Sequence, residues 1–185
     1  MIENRSITSS PAIATKGDKK YCEGYAVLFY NEADPSTEFR SGKFAERIPA
    51  NAKIDTSGFC YACLDHNEDI VLDHTEATLN LSTDKRGIRY SFPIMDNDPD
   101  HQRLDAKLTN GHVKGASFQM TNIVDEWQTV GETRVRSLKS FTLRHVSPTY
   151  LGCYRGASAE LRSENEQSLE QAYLKFETQK RLNKK

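Results

Sequence analysis

The sequence predicts a mainly β protein with peripheral helices, organised as a small antiparallel β-barrel of about six or seven strands with a C-terminal helix. Short runs of alternating apolar and polar residues recur between residues 21 and 143, as is typical of strands with one buried face. The turns between these runs are short, and short turns favour antiparallel pairing because parallel strands need long crossovers. Helical periodicity occurs once inside the chain and once at its C-terminal end.

The first part of the chain is expected to supply three strands after a polar segment. Residues 1–20 are polar and are expected to form a flexible arm or an edge strand. Alternation over residues 21–30 predicts the first strand, and residues 44–48 predict a second one that ends before Pro49. Residues 59–64 are mostly apolar and predict a third strand, which is buried.

The central part of the chain is expected to form a hairpin followed by two more strands. Residues 78–82 and 88–94 flank a polar turn sequence that ends in Gly87, which is a strong hairpin signal. Residues 113–124 and 132–143 continue the alternating pattern. We therefore expect these segments to pair with their neighbours in sequence.

Two segments have the pattern of helices. Asp98 followed by Pro99 is typical of a helix N-cap and first turn, and Gly111 is expected to end that helix. After residue 156 the chain is highly charged, and its apolar residues lie on one helical stripe. The predicted organisation is a flexible N-terminal arm at 1–20, a folded domain at 21–156 and a charged helical tail at 157–185.

Composition limits the classes of protein to which the chain can belong. Its 185 residues suffice for one full core, with 37% apolar residues, 28% charged residues and a formal net charge of −1. The absence of a basic stripe argues against a nucleic-acid partner. No run approaches the ~20 apolar residues of a membrane span. The first residues lack an apolar segment, so we expect no secretory signal and a cytosolic protein with reduced thiols.

Cys60 and Cys63 have the spacing of a CxxC motif. No second CxxC follows, so a four-cysteine zinc site is not expected. A redox pair would lie at a helix N-terminus, whereas these cysteines lie on opposite faces of a predicted strand. We interpret them as small buried strand residues, and we expect neither a cofactor nor a metal.

Three side chains form a candidate catalytic set: His66 at the end of a predicted strand, Ser117 between small residues and an apolar run, and His145 in a β-rich segment. A serine hydroxyl is a poor nucleophile at neutral pH and needs an adjacent base, which in turn needs a third group to fix its tautomer. Each residue alone has an ordinary structural explanation. Their combination predicts nucleophilic catalysis if they meet in space.

Short motifs in a fixed order surround these residues between Gly24 and about Tyr154. They are Gly24-Tyr25-Ala26, Ala45-Glu46-Arg47-Ile48-Pro49, Leu64-Asp65-His66-Asn67, Leu79-Asn80-Leu81, Asp84-Lys85-Arg86-Gly87-Ile88, residues 110–118 and Leu143-Arg144-His145-Val146-Ser147. Together they resemble the prohead maturation proteases of tailed phages with HK97-like capsids. In that family the histidine and the serine of these motifs are catalytic, which implies those roles for His66 and Ser117.

His145 departs from the phage pattern, in which a glutamate usually precedes the Val-Ser pair. A histidine at this position resembles the herpesvirus capsid-maturation proteases, which share the fold and use a Ser-His-His triad. A second imidazole can accept the N–H of the base, but it lacks a carboxylate's full negative charge. By the same resemblance, Arg155 is expected to help form the oxyanion hole, although the loop before it differs in length.

The resemblance implies a serine endopeptidase that acts in prohead maturation, inside the immature phage prohead in the cytoplasm of the bacterial host. Its expected substrates are the phage scaffold and the scaffolding segment of the major capsid protein, with possible self-cleavage in the tail after about Ala157. The tail could also tether the protease to the shell. Herpesvirus relatives work as dimers, so a homodimer or higher oligomer is expected, without nucleic-acid or membrane partners.

Two other functions stay open at this point. The acidic and histidine-rich segment at 65–74 could hold a metal in a metal-dependent hydrolase, although its spacing matches no standard zinc pattern. The chain could also be a catalytically inactive capsid-assembly or scaffold component. Asp96, Asp98 and Asp100 imitate the start of a calcium loop, but Pro99 and Lys107 occupy positions that such a loop does not allow, so a helix cap is the better interpretation.

Overall fold

The computed structural model describes residues 2–7, 10–150 and 159–183. These contain twelve strands, two α-helices and a short 3-10 turn at Pro35–Thr37. In chain order the elements are β1 Glu3–Ile7, β2 Ala12–Lys16, β3 Lys19–Leu28, β4 Glu38–Ser41, β5 Phe44–Arg47, β6 Lys53–Asp55, β7 Tyr61–Leu64, β8 Asn67–His74, β9 Asn80–Thr83, β10 Gly87–Pro93, α1 Pro99–Thr109, β11 Gly115–Val130, β12 Thr133–Thr149 and α2 Ala159–Leu182. The prediction of a mainly β protein with peripheral helices, one of them C-terminal, is confirmed.

The strands form two sheets, and the long β11–β12 hairpin belongs to the larger one. The larger sheet has the path β1-β11-β12-β5-β4, and β6 and β7 also pair with β12, while β8 pairs with β7. The smaller sheet has the order β2-β3-β10-β9 and is antiparallel throughout. Within the described residues no closed barrel is found, so the barrel stays a prediction.

The structure differs from the sequence prediction in strand number and in pairing. The predicted six or seven strands are too few, because several short or polar segments, such as β4, β6 and β8, also form strands. The strands β5, β6 and β7 pair parallel with successive stretches of β12, whereas the sequence favoured antiparallel pairing. Connections that return the chain to β12 through intervening loops and hairpins allow this, and short-range pattern does not reveal them.

Residues 1–20, for which we expected a flexible arm or an edge strand, contribute β1 and β2. The strand β1 lies at the end of the larger sheet, antiparallel to β11, with Ser6 opposite Ser117. Its Arg5 belongs to a buried charge network that joins three strands, because Arg5 and Arg136 both contact Glu3 and Glu46. Opposite charges that pair with hydrogen bonds can remain buried, whereas a single one could not.

Two apolar clusters hold the elements together. The main core includes Phe92, Phe118, Phe141 and Leu104, all of which are fully buried or nearly so. A second cluster, with Phe39, Phe44, Trp127 and Leu169 as its buried members, packs α2 against the far end of the β11–β12 hairpin. The tail helix therefore contacts the sheet at the end opposite the strand region that contains Ser117.

The predicted local signals of the first helix are present in the structure. The side chain of Asp98 accepts hydrogen bonds from the N–H groups of Asp100 and His101, and Pro99 follows it at the first helical position. Gly111, just after the helix, has a φ of 68°. The interpretation of the acidic residues as a helix cap is confirmed.

Cys22, Cys60 and Cys63 are free and buried, and Cys153 lies outside the described residues. The interpretation of Cys60 and Cys63 as small buried residues agrees with their complete burial.

In the described part of the chain, no helix is both long enough and apolar enough to cross a membrane.

Gly87 occupies a position with no room for a side chain, which leads to a prediction. A Cβ at this residue would lie 1.9 Å from the carbonyl oxygen of Val27, so a strand of the smaller sheet would have to move. We expect Gly87→Ala to destabilise the protein by about 1–3 kcal/mol, as other overpacked sites do. The free energy of unfolding in urea measures this.

Gly58 supplies the matched control for that substitution. It is exposed, and a Cβ there would have no atom within 4 Å. We expect Gly58→Ala to change the free energy of unfolding by no more than about 0.5 kcal/mol. Equal stability losses in the two variants would contradict the packing explanation for Gly87.

Candidate active site

The structure brings the three predicted side chains together at the junction of three elements. Ser117 lies on β11, His145 lies on the neighbouring β12, and His66 lies in the turn between β7 and β8. His66 Nε2 is 2.5 Å from Ser117 Oγ, and His66 Nδ1 is 2.8 Å from His145 Nε2. Both distances are those of hydrogen bonds, and the order Ser, His, His is that of a nucleophile, a base and a group that orients the base.

A tight two-residue turn places His66. Asp65 and His66 have φ values of 52° and 59°, and Leu64 pairs with Asn67, as in a hairpin with a type I′ turn. The sequence predicted no strand between His66 and residue 78, but β8 begins at the residue after His66. The positive φ of both residues reverses the chain within two residues, which directs the His66 ring towards β11 and β12.

Several hydrogen bonds hold this turn in its unusual backbone conformation. Ser147 Oγ accepts the His66 N–H at 2.8 Å and donates to the Cys63 carbonyl at 2.8 Å. The Asp65 N–H donates to the Pro148 carbonyl at 3.1 Å. Non-glycine residues with positive φ persist only where their surroundings fix them, and such sites are often functional. Ser147 thus supports the turn, and nothing in the sequence distinguished it from the other residues of the Leu143–Ser147 motif.

Ser117 is completely buried on β11, with Ser6 of the neighbouring strand β1 opposite it. Its hydroxyl group is 2.7 Å from the Arg5 carbonyl oxygen, in addition to its contact with His66. A hydroxyl group has one hydrogen, so at any moment it donates either to Arg5 or to His66. The charge state and tautomer of His66 therefore decide whether Ser117 is poised to lose its proton.

Burial keeps both imidazoles neutral near pH 7. Burial lowers the pKa of His66, which the nearby Asp65 carboxylate opposes only in part. Burial and, second, the neighbouring His66 lower the pKa of His145 to about 4. A general base must be unprotonated to accept a proton, so the electrostatics of the site suit base catalysis by His66.

A protein-family model matches the part of the sequence that contains these three residues. The family model of the caudovirus prohead serine proteases matches residues 8–172, which include all three side chains. The chain belongs to this family. No curated protein and no solved structure matches the chain. Membership identifies this prohead protease as a serine-type peptidase of phage capsid maturation that acts in the procapsid within the host cell, and it confirms the predicted family.

One predicted site residue of the prohead protease has no structural description. Arg155, expected near the oxyanion, lies outside the described residues. Its expected role stays a prediction that rests on the resemblance.

The segment for which metal binding stayed open has other contacts in the prohead protease. The Asp73 carboxylate accepts hydrogen bonds from the Thr78 hydroxyl group at 2.5 Å and from the His74 N–H at 2.7 Å. His66 contacts Ser117 and His145 instead of its acidic neighbours. Among the described residues, no group of three or more His, Cys, Asp or Glu side chains is arranged to hold a metal.

Sequence reasoning missed two side chains that extend the site. The Tyr61 hydroxyl group is 3.1 Å from His145 Nδ1, and it donates to Glu68 Oε1 at 2.7 Å. Tyr61 pairs directly with His145 because β7 runs parallel to β12. That parallel pairing has no local sequence signal, so neither residue could be connected with the site in advance.

Proposed function

We propose that Ser117, His66 and His145 are the catalytic triad of this prohead protease. The observation that carries the proposal is the line of contacts in which His66 Nε2 is 2.5 Å from Ser117 Oγ and His66 Nδ1 is 2.8 Å from His145 Nε2. Burial supports it, because it favours the neutral imidazole that a base requires.

In the proposed mechanism, Ser117 Oγ attacks the carbonyl carbon of a peptide bond while His66 Nε2 takes the hydroxyl proton. The resulting imidazolium gives this proton to the leaving amine, so the C–N bond breaks and an acyl-enzyme remains. Water then attacks the ester, loses a proton to His66 and releases the carboxylic acid, and Ser117 regains its proton. His145 accepts a hydrogen bond from His66 Nδ1–H and keeps the ring in position throughout.

The proposed substrates are the phage scaffold protein and the scaffolding segment of the major capsid protein, cut inside the immature prohead. The family assignment supports this substrate class, because prohead maturation is the process in which such proteases act. We further propose that the chain self-associates and that its tail tethers it to the shell. The placement of α2 against Trp127 and Phe44, away from Ser117, is compatible with such a tether.

Labelling with a serine-directed fluorophosphonate tests the triad without a known cleavage site. Ser117 Oγ would displace fluoride from phosphorus and pass its proton to His66, which leaves a stable adduct. We expect the wild-type protein to be labelled on Ser117, Ser117→Ala to be unlabelled, and His66→Ala and His145→Ala to react more slowly. Ser82→Ala, at an exposed strand position, is the matched control and should label normally. Labelling of Ser117→Ala at the wild-type rate would overturn the proposal.

A further inference from the structure

The contacts of the triad continue beyond His145. The Tyr61 hydroxyl group is 3.1 Å from His145 Nδ1 and 2.7 Å from Glu68 Oε1. Tyr61 lies on β7 and Glu68 on β8, the two strands of the hairpin whose turn contains His66. One hairpin therefore supplies His66, the proposed base, and also Tyr61 and Glu68, which continue the line of contacts beyond His145.

The line of side chains contains fewer hydrogens than contacts. It joins, in order, Glu68, Tyr61, His145, His66, Ser117 and the carbonyl of Arg5, through five contacts. The carboxylate and the carbonyl only accept hydrogen bonds. Each of the two hydroxyl groups and each of the two neutral imidazoles has a single donor hydrogen, so the line has roughly four hydrogens in all. One of the contacts must therefore lack a hydrogen when the line carries no extra proton.

The cost of the missing hydrogen differs along the line. It is greatest at Glu68, because a hydrogen bond to a charged acceptor is the strongest of the set. It is also high between the two imidazoles, where two nitrogen lone pairs would face each other. It is least at the Arg5 carbonyl, which is neutral. The favoured arrangement thus has every group donating towards Glu68, with Ser117 donating to His66.

We infer that Glu68, acting through Tyr61, is a positioning residue that holds both histidines as Nδ1–H tautomers and leaves His66 Nε2 free to accept the Ser117 proton. This inference rests on the proposed triad and extends it. Because the Nδ1–H of His145 is committed to Tyr61, His145 Nε2 can only accept from His66. The Glu68 carboxylate would thus act on His145 through Tyr61, although the third member of the proposed triad is itself an imidazole.

Other charged or titratable groups lie near the same residues. Asp65 lies near His66. Glu68, Arg144 and His66 lie near His145, and Glu68, Cys63 and Arg144 lie near Tyr61. Glu68 raises the pKa of His145, whereas Arg144 lowers it. Glu68 itself is exposed, so solvent screens its charge and the main effect should come from the direction of the hydrogen bonds.

Nitrogen-15 NMR of the histidine side chains tests the tautomers directly. We expect Nδ1–H forms of His66 and His145 in the wild-type protein, although a histidine free in water favours the Nε2–H form. In Glu68→Gln and Tyr61→Phe a substantial share of both residues should shift to Nε2–H. An Nε2–H form of His66 in the wild-type protein, or unchanged tautomers in both variants, would overturn the inference.

Two control variants match these changes outside the line of contacts. Asp69→Asn removes an exposed carboxylate from the same strand as Glu68. Tyr25→Phe removes another tyrosine hydroxyl group that donates to a carboxylate, Asp84 at 2.7 Å, in the smaller sheet. Both should keep the wild-type tautomers, and a shift in either control equal to that in the test variants would count against the inference.

The pH dependence of fluorophosphonate labelling supplies a second readout. We expect Glu68→Gln and Tyr61→Phe to slow the labelling of Ser117 about tenfold, the effect of one charge-assisted hydrogen bond. In Glu68→Gln the acid limb should also move to lower pH, because the limb reports protonation of the coupled His66–His145 pair and the carboxylate no longer raises the pKa of its His145 member. Glu68→Asp, which keeps the charge, should recover part of the rate and the position of the limb.

The two proposals fail in different ways. If Ser117→Ala still reacts at the wild-type rate, the triad itself is wrong. If Ser117→Ala is unreactive but Glu68→Gln and Tyr61→Phe keep the wild-type rate, acid limb and tautomers, the triad stands and the positioning role of Glu68 is wrong.

Discussion

Ser117→Ala is expected to reduce cleavage of the phage scaffold by at least about 10³-fold, and His66→Ala is expected to have an effect of similar size. In the proposed mechanism, the first substitution removes the atom that attacks the peptide, and the second removes the acceptor of its proton, 2.5 Å away. Co-expression of each variant with the scaffold and capsid proteins, followed by gel analysis of the processed forms, gives the residual rate.

The double substitution Ser117→Ala/His66→Ala separates a joint mechanism from two independent effects. Because the two groups act on the same proton in the proposed mechanism, the double variant should lose little more activity than either single variant. Ser82→Ala is the control for expression and folding and should process normally. If the loss of activity in the double variant equals the product of the two single fold-losses, a shared proton transfer is contradicted.

Arg136→Met is expected to destabilise the protein by about 3–5 kcal/mol, because it leaves two buried carboxylates, Glu3 and Glu46, with Arg5 as their remaining cation. Arg136 is only 2% exposed and contacts Glu3 at 2.7 Å and Glu46 at 2.9 Å. Urea unfolding at pH 7 measures the loss. Lys139→Met, at an exposed ion pair on the same strand, is the matched control and should cost less than about 1 kcal/mol.

The same network should make stability depend on acid. Burial by itself would raise the pKa of Glu3, but the hydrogen bonds and charges of Arg136 and Arg5 together lower it below its ordinary value of 4.5. A group whose pKa is lower in the folded than in the unfolded state stabilises the fold at pH values above its unfolded-state pKa. This contribution is lost as the pH falls through its folded-state pKa. The loss of stability below about pH 4.5 should therefore be smaller in Arg136→Met.

Local signals in the sequence predicted local structure well. The turn before Gly87 and the alternating residues around it predicted the hairpin that the structure forms as β9 and β10. Asp98 and Pro99 predicted the start of α1. Such features depend on residues a few positions apart, so their physics is complete within a short window of sequence.

The candidate site was predictable only as a set of motifs. His66, Ser117 and His145 were chosen from the order of short motifs, and the structure brings them within hydrogen-bond distance. Tyr61 and Glu68 could not be predicted, because their role depends on the parallel pairing of β7 with β12. The strand β8 was missed because its first residues are polar and exposed, as in a loop.

The contact between the Arg5 carbonyl and Ser117 spans 112 residues of sequence, and the contacts of His66 with Ser117 and His145 span 51 and 79. A ribosome adds roughly 5–20 residues per second, and pairings this distant form late because loop closure must come first. A growing chain therefore contains His66, the proposed base, before Ser117, the proposed nucleophile, and Ser117 before His145, the second imidazole. The proposed triad cannot form until synthesis has passed His145 on β12, so we expect the nascent chain to be inactive.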